Sequence, residues 1–371
     1  MRPLEGVLVL DFSTLLPGPM ATLLLAEAGA EVVKIERPGS GEDMRAYPPH
    51  WGADGVNFAL LNRGKKSLAL DLKNPEQRAK LGPLLARADI IVEQFRPGVM
   101  QRLGLDYASV AKINPRIIYC SITGYGQTGP KRDAAGHDLN YIGDTGLLAL
   151  SMGNTDRPVV PPALIADIAG GAYPAVMNIL LAVTERARTG KGRYLDIAMT
   201  DNLFPFMYWV LGEGIATGQW PQNGGSLVTG GSARYRLYPT RDGQVVAAAP
   251  IEQRFWQNFC SIIGLEPQYA DAKDPAAAAA RVAAIIRGKD AAHWENLFRG
   301  QDCCCTVVKT ARAAMTDPQF VARGLFAHKL SNAQGQVIPA LPVPVSDAFR
   351  AASDTPIAAP TLGAHNADYI K

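Results

Sequence analysis

Several things that would place this sequence quickly are scarce in it. Among 371 residues there are five cysteines, at Cys120, Cys260 and the run Cys303, Cys304, Cys305. They show neither an even, regular spacing nor a C-x-x-C pair, so neither a disulfide framework nor a thiolate metal site is indicated, and a reducing cytoplasm is expected. Adjacent cysteines in a strand face alternate sides and cannot converge on one metal, so the triplet reads as buried small apolar residues, and no metal is expected. Long apolar runs are also missing. Ala175 to Val183 and Phe204 to Leu211 are the longest, well short of the ~18 residues that span a bilayer. Glu5 and Asp11 flank the first apolar run, unlike a secretory signal. A soluble, unexported chain without a membrane partner is expected. Excess charge of either sign is lacking as well. With 37 basic and 34 acidic residues the net charge is +3, which argues against the clustered basic face of a nucleic-acid binder but leaves room for local cationic pockets.

What is present points to a folded α/β chain. The sequence is 47% hydrophobic and 19% charged, too apolar for a disordered chain and long enough to bury a core. At roughly 150 residues per domain, two to three domains are expected. The 36 Gly and 27 Pro are scattered without a collagen period or a low-complexity block, and read as turns. Short apolar runs alternate with helical stretches over the first 125 residues. Strands are expected at Gly6 to Asp11, Glu31 to Glu36, Ser67 to Leu72, Asp89 to Glu93 and Arg116 to Ser121, with a helix from Pro19 to Gly29. This succession implies βαβ units and a parallel sheet. A dinucleotide is the obvious ligand for such a sheet, but the first turn is Ser13-Thr-Leu-Leu-Pro-Gly-Pro19. The glycines of G-x-G-x-x-G are missing, which argues against a nicotinamide enzyme.

A long helix is expected from Asp167 to Arg188, with Pro174 awkward inside it, so that regular helix would start only after Tyr173. Asp242-Gly243 reads as a hairpin turn and the Ala-rich stretch 275–286 as a helix. The expected organisation is a large α/β domain with a linker helix over 1–220, a small domain over 225–325, and a C-terminal segment, 326–371, returning to the large domain.

Chemistry has few candidates. Only five histidines occur, and His137 follows the loop Gly124-Tyr-Gly-Gln-Thr-Gly-Pro130 that leaves the fifth strand. Ligands of open α/β sheets bind in such loops, although a histidine bonded to backbone would fit there too. Asp167 before a helix reads either as an N-cap or as a carboxylate that handles protons or attacks an acyl group. Glu252, after a strand, is by composition an ordinary surface carboxylate.

Together these segments resemble the CaiB/BaiF superfamily of family III CoA-transferases, closest to its α-methylacyl-CoA racemase branch. The carriers are Pro17-Gly-Pro19, Ile35-Glu-Arg-Pro38, Asn62-Arg-Gly-Lys-Lys-Ser-Leu-Ala-Leu-Asp-Leu-Lys73, Phe95-Arg-Pro-Gly98, Gly124 to Pro130 and Thr189-Gly-Lys-Gly192. Their ordered succession is specific, although no single one decides. Gly136-His-Asp-Leu-Asn-Tyr141, Ala166-Asp-Ile-Ala-Gly-Gly171 and the pattern around Glu252 resemble the racemases, whereas Arg37 to Asn57 looks like the longer transferase version. Ala233, Pro250 and Asp144 depart from the racemase pattern.

The resemblance implies an open parallel Rossmann-like sheet in the large domain, a smaller α+β domain and an interlocked homodimer. It implies acyl-CoA substrates, with coenzyme A as part of the substrate and no cofactor consumed. Two chemistries follow from it: racemisation at the α-carbon of 2-methylacyl-CoA thioesters through His137 and Asp167, with Glu252 orienting His137, or CoA transfer through an acyl intermediate on Asp167. Gly170-Gly171 would offer N–H groups to an enolate oxygen. For CoA the implied residues are Arg37, Lys65 and Arg102 at the phosphates, Gln94, Phe95 and Arg96 along the groove, and Tyr125 and Tyr141.

Overall fold

The structure, a computed structural model, describes residues 1–154, 156–270, 274–352 and 354–370. The chain divides into two compact units, the first comprising Met1–Thr145, Ala163–Phe204 and the chain from Pro318 onward, the second Gly146–Pro162 and Pro205–Asp317. Residues 146–162 and 205–220, expected in the large domain, thus group with the second unit, and the return falls at Pro318 instead of 326. Long-range bonds set this boundary: Gly224 N–H donates to the Leu150 carbonyl at 2.9 Å and Met152 N–H to Asn223 Oδ1 at 3.2 Å. No local sequence signal marks pairs so far apart.

The first unit is built on a six-stranded sheet of β1 (Leu8–Phe12), β2 (Glu31–Glu36), β3 (Lys66–Ala69), β4 (Ile90–Glu93), β5 (Ile118–Thr123) and β6 (Arg193–Ala198). Its order is β6-β5-β4-β1-β2-β3 and every pairing is parallel. The strands expected from sequence are present with shifted ends, and β6 had not been anticipated. β1, β4 and β5 are buried along their whole length, as a sheet covered on both faces requires. Leu10, Phe12, Val33, Leu68, Ile91 and Tyr119 centre the core, and the buried Tyr119 hydroxyl donates to the Leu105 carbonyl at 2.9 Å. Helix α1 (Pro17–Glu27) starts with proline in its first turn, where the missing N–H costs nothing.

The stretch around Asp167 departs from the expected plain helix. Ala166–Ala172 is a π-helical segment that runs directly into an α-helix at Tyr173–Thr189. Pro174 explains the join, since it cannot donate to the carbonyl four residues back. That carbonyl, of Gly170, instead accepts from Asn202 Nδ2 at 2.8 Å. Together the two segments form a 24-residue helix that contains an 18-residue stretch of mean hydropathy 1.4, long and apolar enough to cross a membrane, which corrects the expectation that no segment reaches that length. Core helices of globular proteins meet the same two measures, and this one packs on α1, β5 and β6.

The second unit has an antiparallel sheet of β7 (Arg236–Pro239), β8 (Val245–Ala248) and β9 (Cys305–Val307). Against it pack Gln253–Ile263, Pro275–Arg287 and Ala291–Phe298 around Trp256, Phe259, Val282 and Trp294. Gly243, at φ 77°, makes the β7–β8 turn, a backbone region that favours glycine. The cysteine triplet is not uniformly buried: Cys303 is buried, Cys304 exposed and Cys305 half-buried, because the strand starts only at Cys305.

Candidate active site

In the first unit the strand order reverses between β1 and β4, and open parallel sheets bind ligands outside the carboxyl ends of their strands at such a point. Two cavities lie there, of about 440 Å³ and about 460 Å³, and Thr14 and Phe95 line both. Thr14 belongs to the turn after β1, Phe95 to the turn after β4. Gln94 Oε1 accepts the Gly18 N–H at 3.0 Å and so ties the second turn to the start of α1.

The first cavity joins apolar walls, from Leu72, Phe95, Val99 and Leu103, to cations at Arg37, Lys73 and Arg102, all three of them exposed. Such a slot suits a planar apolar group carrying phosphates. Arg37 is held in place by Asp43 and by Ser40 Oγ, the latter at 2.7 Å. Lys73 was not anticipated as part of this pole.

Lys65 does not belong to it. Its side chain is fully buried, and Nζ donates to Asp11 Oδ2, Asn62 Oδ1, Thr22 Oγ1 and the Pro19 carbonyl at 2.8–3.1 Å. Burial and the neighbouring Lys34 lower its pKa to about 8 against the attraction of Asp11. A phosphate could reach this ammonium only by taking apart a buried network, so Lys65 is structural.

The second cavity gathers His137, Asp167, Gln94, Arg96, Tyr125 and Tyr141. His137 sits at the N-cap of α2 (Asp138–Asp144), an exposed residue whose N–H donates to Asn140 Oδ1 at 3.0 Å. Tyr141, one turn on, is buried, and its hydroxyl donates to the Gly136 carbonyl at 2.5 Å. A Cβ at Gly124 or Gly136 would lie 2.4 Å or 2.7 Å from that ring, so these glycines let the loop ahead of His137 close over it. Tyr125 meets Tyr141 edge-on, with ring centroids 5.3 Å apart. Asp144, unusual in sequence, accepts from the Tyr125 hydroxyl and pairs with Lys131 at 2.9 Å.

Asp167 is not an N-cap. It lies inside the π-helical segment, and its own N–H donates to Asp138 Oδ1 at 2.9 Å. The capping function is thus supplied from a distant part of the chain. Burial, and then the like charge of Asp138, push the Asp167 carboxyl up to about 7. A group poised there can exist in either protonation state at neutral pH, which is what general acid–base chemistry needs.

Gly170 and Gly171 are not free donors. In a π-helix each N–H is spent on the carbonyl five residues back. Their lack of side chain serves packing instead, since a Cβ on Gly170 would stand 2.6 Å from the Met199 carbonyl oxygen. Glu252 lies in the second unit, exposed, as the N-cap residue of α3 (Gln253–Ile263). Sequence reasoning passed over Asp138 and also Glu93, a buried carboxyl at the end of β4 that burial raises to about 7 while Ser121 and the Phe95 N–H oppose the shift. A charged residue inside an otherwise apolar strand was the available signal for Glu93.

A family model described as CoA-transferase family III matches residues 4–366. The chain belongs to CoA-transferase family III. Members of this enzyme family act on CoA thioesters, and two of its chemistries stand among the relatives. The chain is 34% identical to the α-methylacyl-CoA racemase of Homo sapiens, over 87% of this chain and 82% of that protein. It is 32% identical to the succinyl-CoA:glutarate CoA-transferase of Mus musculus, over 100% of this chain and 86% of that protein. Among solved structures, a CaiB/BaiF family protein from Brucella suis superposes with a TM-score of 0.80 at 29% identity, covering 99% of this chain and 98% of that one. The two identities are too close to choose a reaction for this family III chain.

Proposed function

We propose that this protein racemises 2-methylacyl-CoA thioesters by 1,1-proton transfer at the α-carbon. The observation that carries this reading is that one cavity is lined by two groups able to exchange protons, His137 and Asp167, with Asp167 titrating at about 7. The α C–H of a thioester is a weak acid, so its removal needs a positioned base and its return on the opposite face a positioned acid. Asp167, as carboxylate, would take the α-proton from one face and leave an enolate. Protonated His137 would then give a proton to the other face, one proton lost and one gained. In the reverse direction the two exchange roles.

CoA would lie with its nucleotide in the neighbouring cavity, where Arg37, Lys73 and Arg102 meet the phosphates and Phe95 and Leu72 the base. Phe95, shared by both cavities, would sit where the carrier passes from one to the other. A homodimer belongs to the same reading, supported by Tyr173, Met177 and Leu181, which are exposed at helical spacing on one helix.

A CoA-transferase is the second reading. The full-length match to a transferase and the transferase-like stretch 37–57 favour it, the latter being anchored by buried Arg45 between Glu36 (2.7 Å) and Asp54 (3.1 Å). There Asp167 would attack the thioester carbonyl and release CoA thiolate, leaving a mixed anhydride that the thiolate and a free acid resolve. That step uses the same ionised carboxylate as racemisation but gives no task to His137 on the same cavity wall.

The two separate on incubation with a (2R)-2-methylacyl-CoA in D2O, followed by mass and chiral analysis. Deuterium at the α-carbon with loss of chirality is the expected result. Absence of exchange across a panel of acyl chains overturns the racemase, and formation of a new CoA ester from a donor plus a free acid establishes the transferase instead. His137→Ala is expected to abolish racemisation while sparing CoA affinity. A large loss of affinity would make His137 structural.

A further inference from the structure

Asp138 lines neither cavity, yet it touches the backbone at both candidate acid–base positions. It directly follows His137 in the chain, and the residue is 5% exposed, its carboxylate accepting the N–H of Asp167 at 2.9 Å and stabilised by the backbone dipoles of Ile165 and Ala166 beside it. The first N–H groups of a helix have no partner within it, and a carboxylate out of water needs donors or it is costly to bury. Each need answers the other here, across 29 residues of sequence. On its other side Asp138 opens α2, whose start is held by the reciprocal pair Asn140 N–H to the His137 carbonyl (2.8 Å) and His137 N–H to Asn140 Oδ1 (3.0 Å).

We infer that Asp138 is a positioning residue: its buried carboxylate clamps the start of the π-helical segment and so fixes Asp167 relative to His137. This role rests on the acid–base reading of Asp167 given above. A shift of Asp138 would move α2 against the π-helical segment, and with it the spacing of two groups that must meet opposite faces of one carbon. Misplacement by an ångström is enough to cost a hundredfold in rate. The same carboxylate is a like charge near Asp167, in a cavity whose other titratable or charged walls come from His137, Tyr141, Tyr125, Arg96 and Arg132.

The test compares Asp138→Ala and Asp138→Asn in the full chain, reading kcat and KM for α-deuterium exchange. It also follows the titration of the Asp167 carboxyl by 13C NMR, assigned with Asp167→Asn. Asp138→Ala removes the acceptor and is expected to lower kcat at least about tenfold with KM within about twofold. Asp138→Asn keeps an oxygen for the N–H groups but loses the charge. It is expected to recover most of kcat at high pH, and to move both the low-pH limb and the Asp167 titration down by about one unit. Near-wild-type kcat in Asp138→Ala, or an unmoved Asp167 titration in Asp138→Asn, overturns the role. Should Asp138→Ala fail to fold, Asp138→Asn decides alone. If the wild-type protein shows neither exchange nor transfer, the functional reading falls, while the 13C titration still judges Asp138.

Discussion

Lys65 Nζ lies 3.1 Å from Asp11 Oδ2 with both side chains fully excluded from solvent. Lys34 joins them, 3.9 Å from Asp11 and 3.3 Å from Glu42. Burial alone would raise the Asp11 carboxyl, but the two lysines with Ser13 and Thr22 together hold it well below its usual range. The cluster also grips the turn that borders both cavities, since Lys34 Nζ donates to the Ser13 carbonyl and Glu42 Oε2 accepts the Leu15 N–H, each at 2.7 Å. Leu15 sits at φ 62°, strained for a residue with a side chain.

Lys65→Met should therefore unfold the protein more readily, not merely weaken CoA binding. Removing one partner leaves a buried charge uncompensated, at a cost of about 3–5 kcal/mol. Denaturant titration checks it; wild-type stability with weakened CoA binding would return Lys65 to the phosphate site.

Arg37→Ala and Arg102→Ala should do the opposite. Both residues are exposed on the wall of the first cavity, so each is expected to weaken CoA binding about tenfold and more at low salt, with the melting temperature nearly unchanged. Calorimetry at two salt concentrations measures this.

The raised carboxyl of Asp167 carries a stability cost with a definite sign. Its pKa is higher folded, about 7, than unfolded, so the folded state binds more protons between about pH 4 and 7 and stability falls as pH rises through that window. Asp167→Asn should then be the more stable protein at pH 8, by on the order of 2–4 kcal/mol, with the difference fading toward pH 4. Melting curves at the two pH values decide it.

Gly170→Ala should be strongly destabilising, by about 1–3 kcal/mol or more, because the new Cβ would stand 2.6 Å from a backbone oxygen that cannot swing away. Gly143→Ala, in α2 with nothing within 4 Å of the added Cβ, should be neutral or slightly stabilising. Equal effects would show that the Met199 contact is not what holds Gly170.

The parallel α/β unit can be read from the linear order of residues, because β-branched runs spaced by helical stretches carry their periodicity locally. The missing glycine motif, read from Ser13 to Pro19, likewise needed no third dimension to argue against a dinucleotide. Membership of the family was legible too, in motifs whose order alone is informative, and His137 and Asp167 stand out in the sequence as candidates that the fold brings to one cavity. What their neighbours do depends on the folded chain. Lys65 and Arg37 are equally basic as letters, yet one is locked among four buried oxygens and the other stands on a cavity wall. Asp167 looked like a cap, and the cap came from Asp138, 29 residues earlier. Protonation, capping and phosphate contact depend on burial and on partners remote in sequence, and the fold alone brings those partners within hydrogen-bond distance.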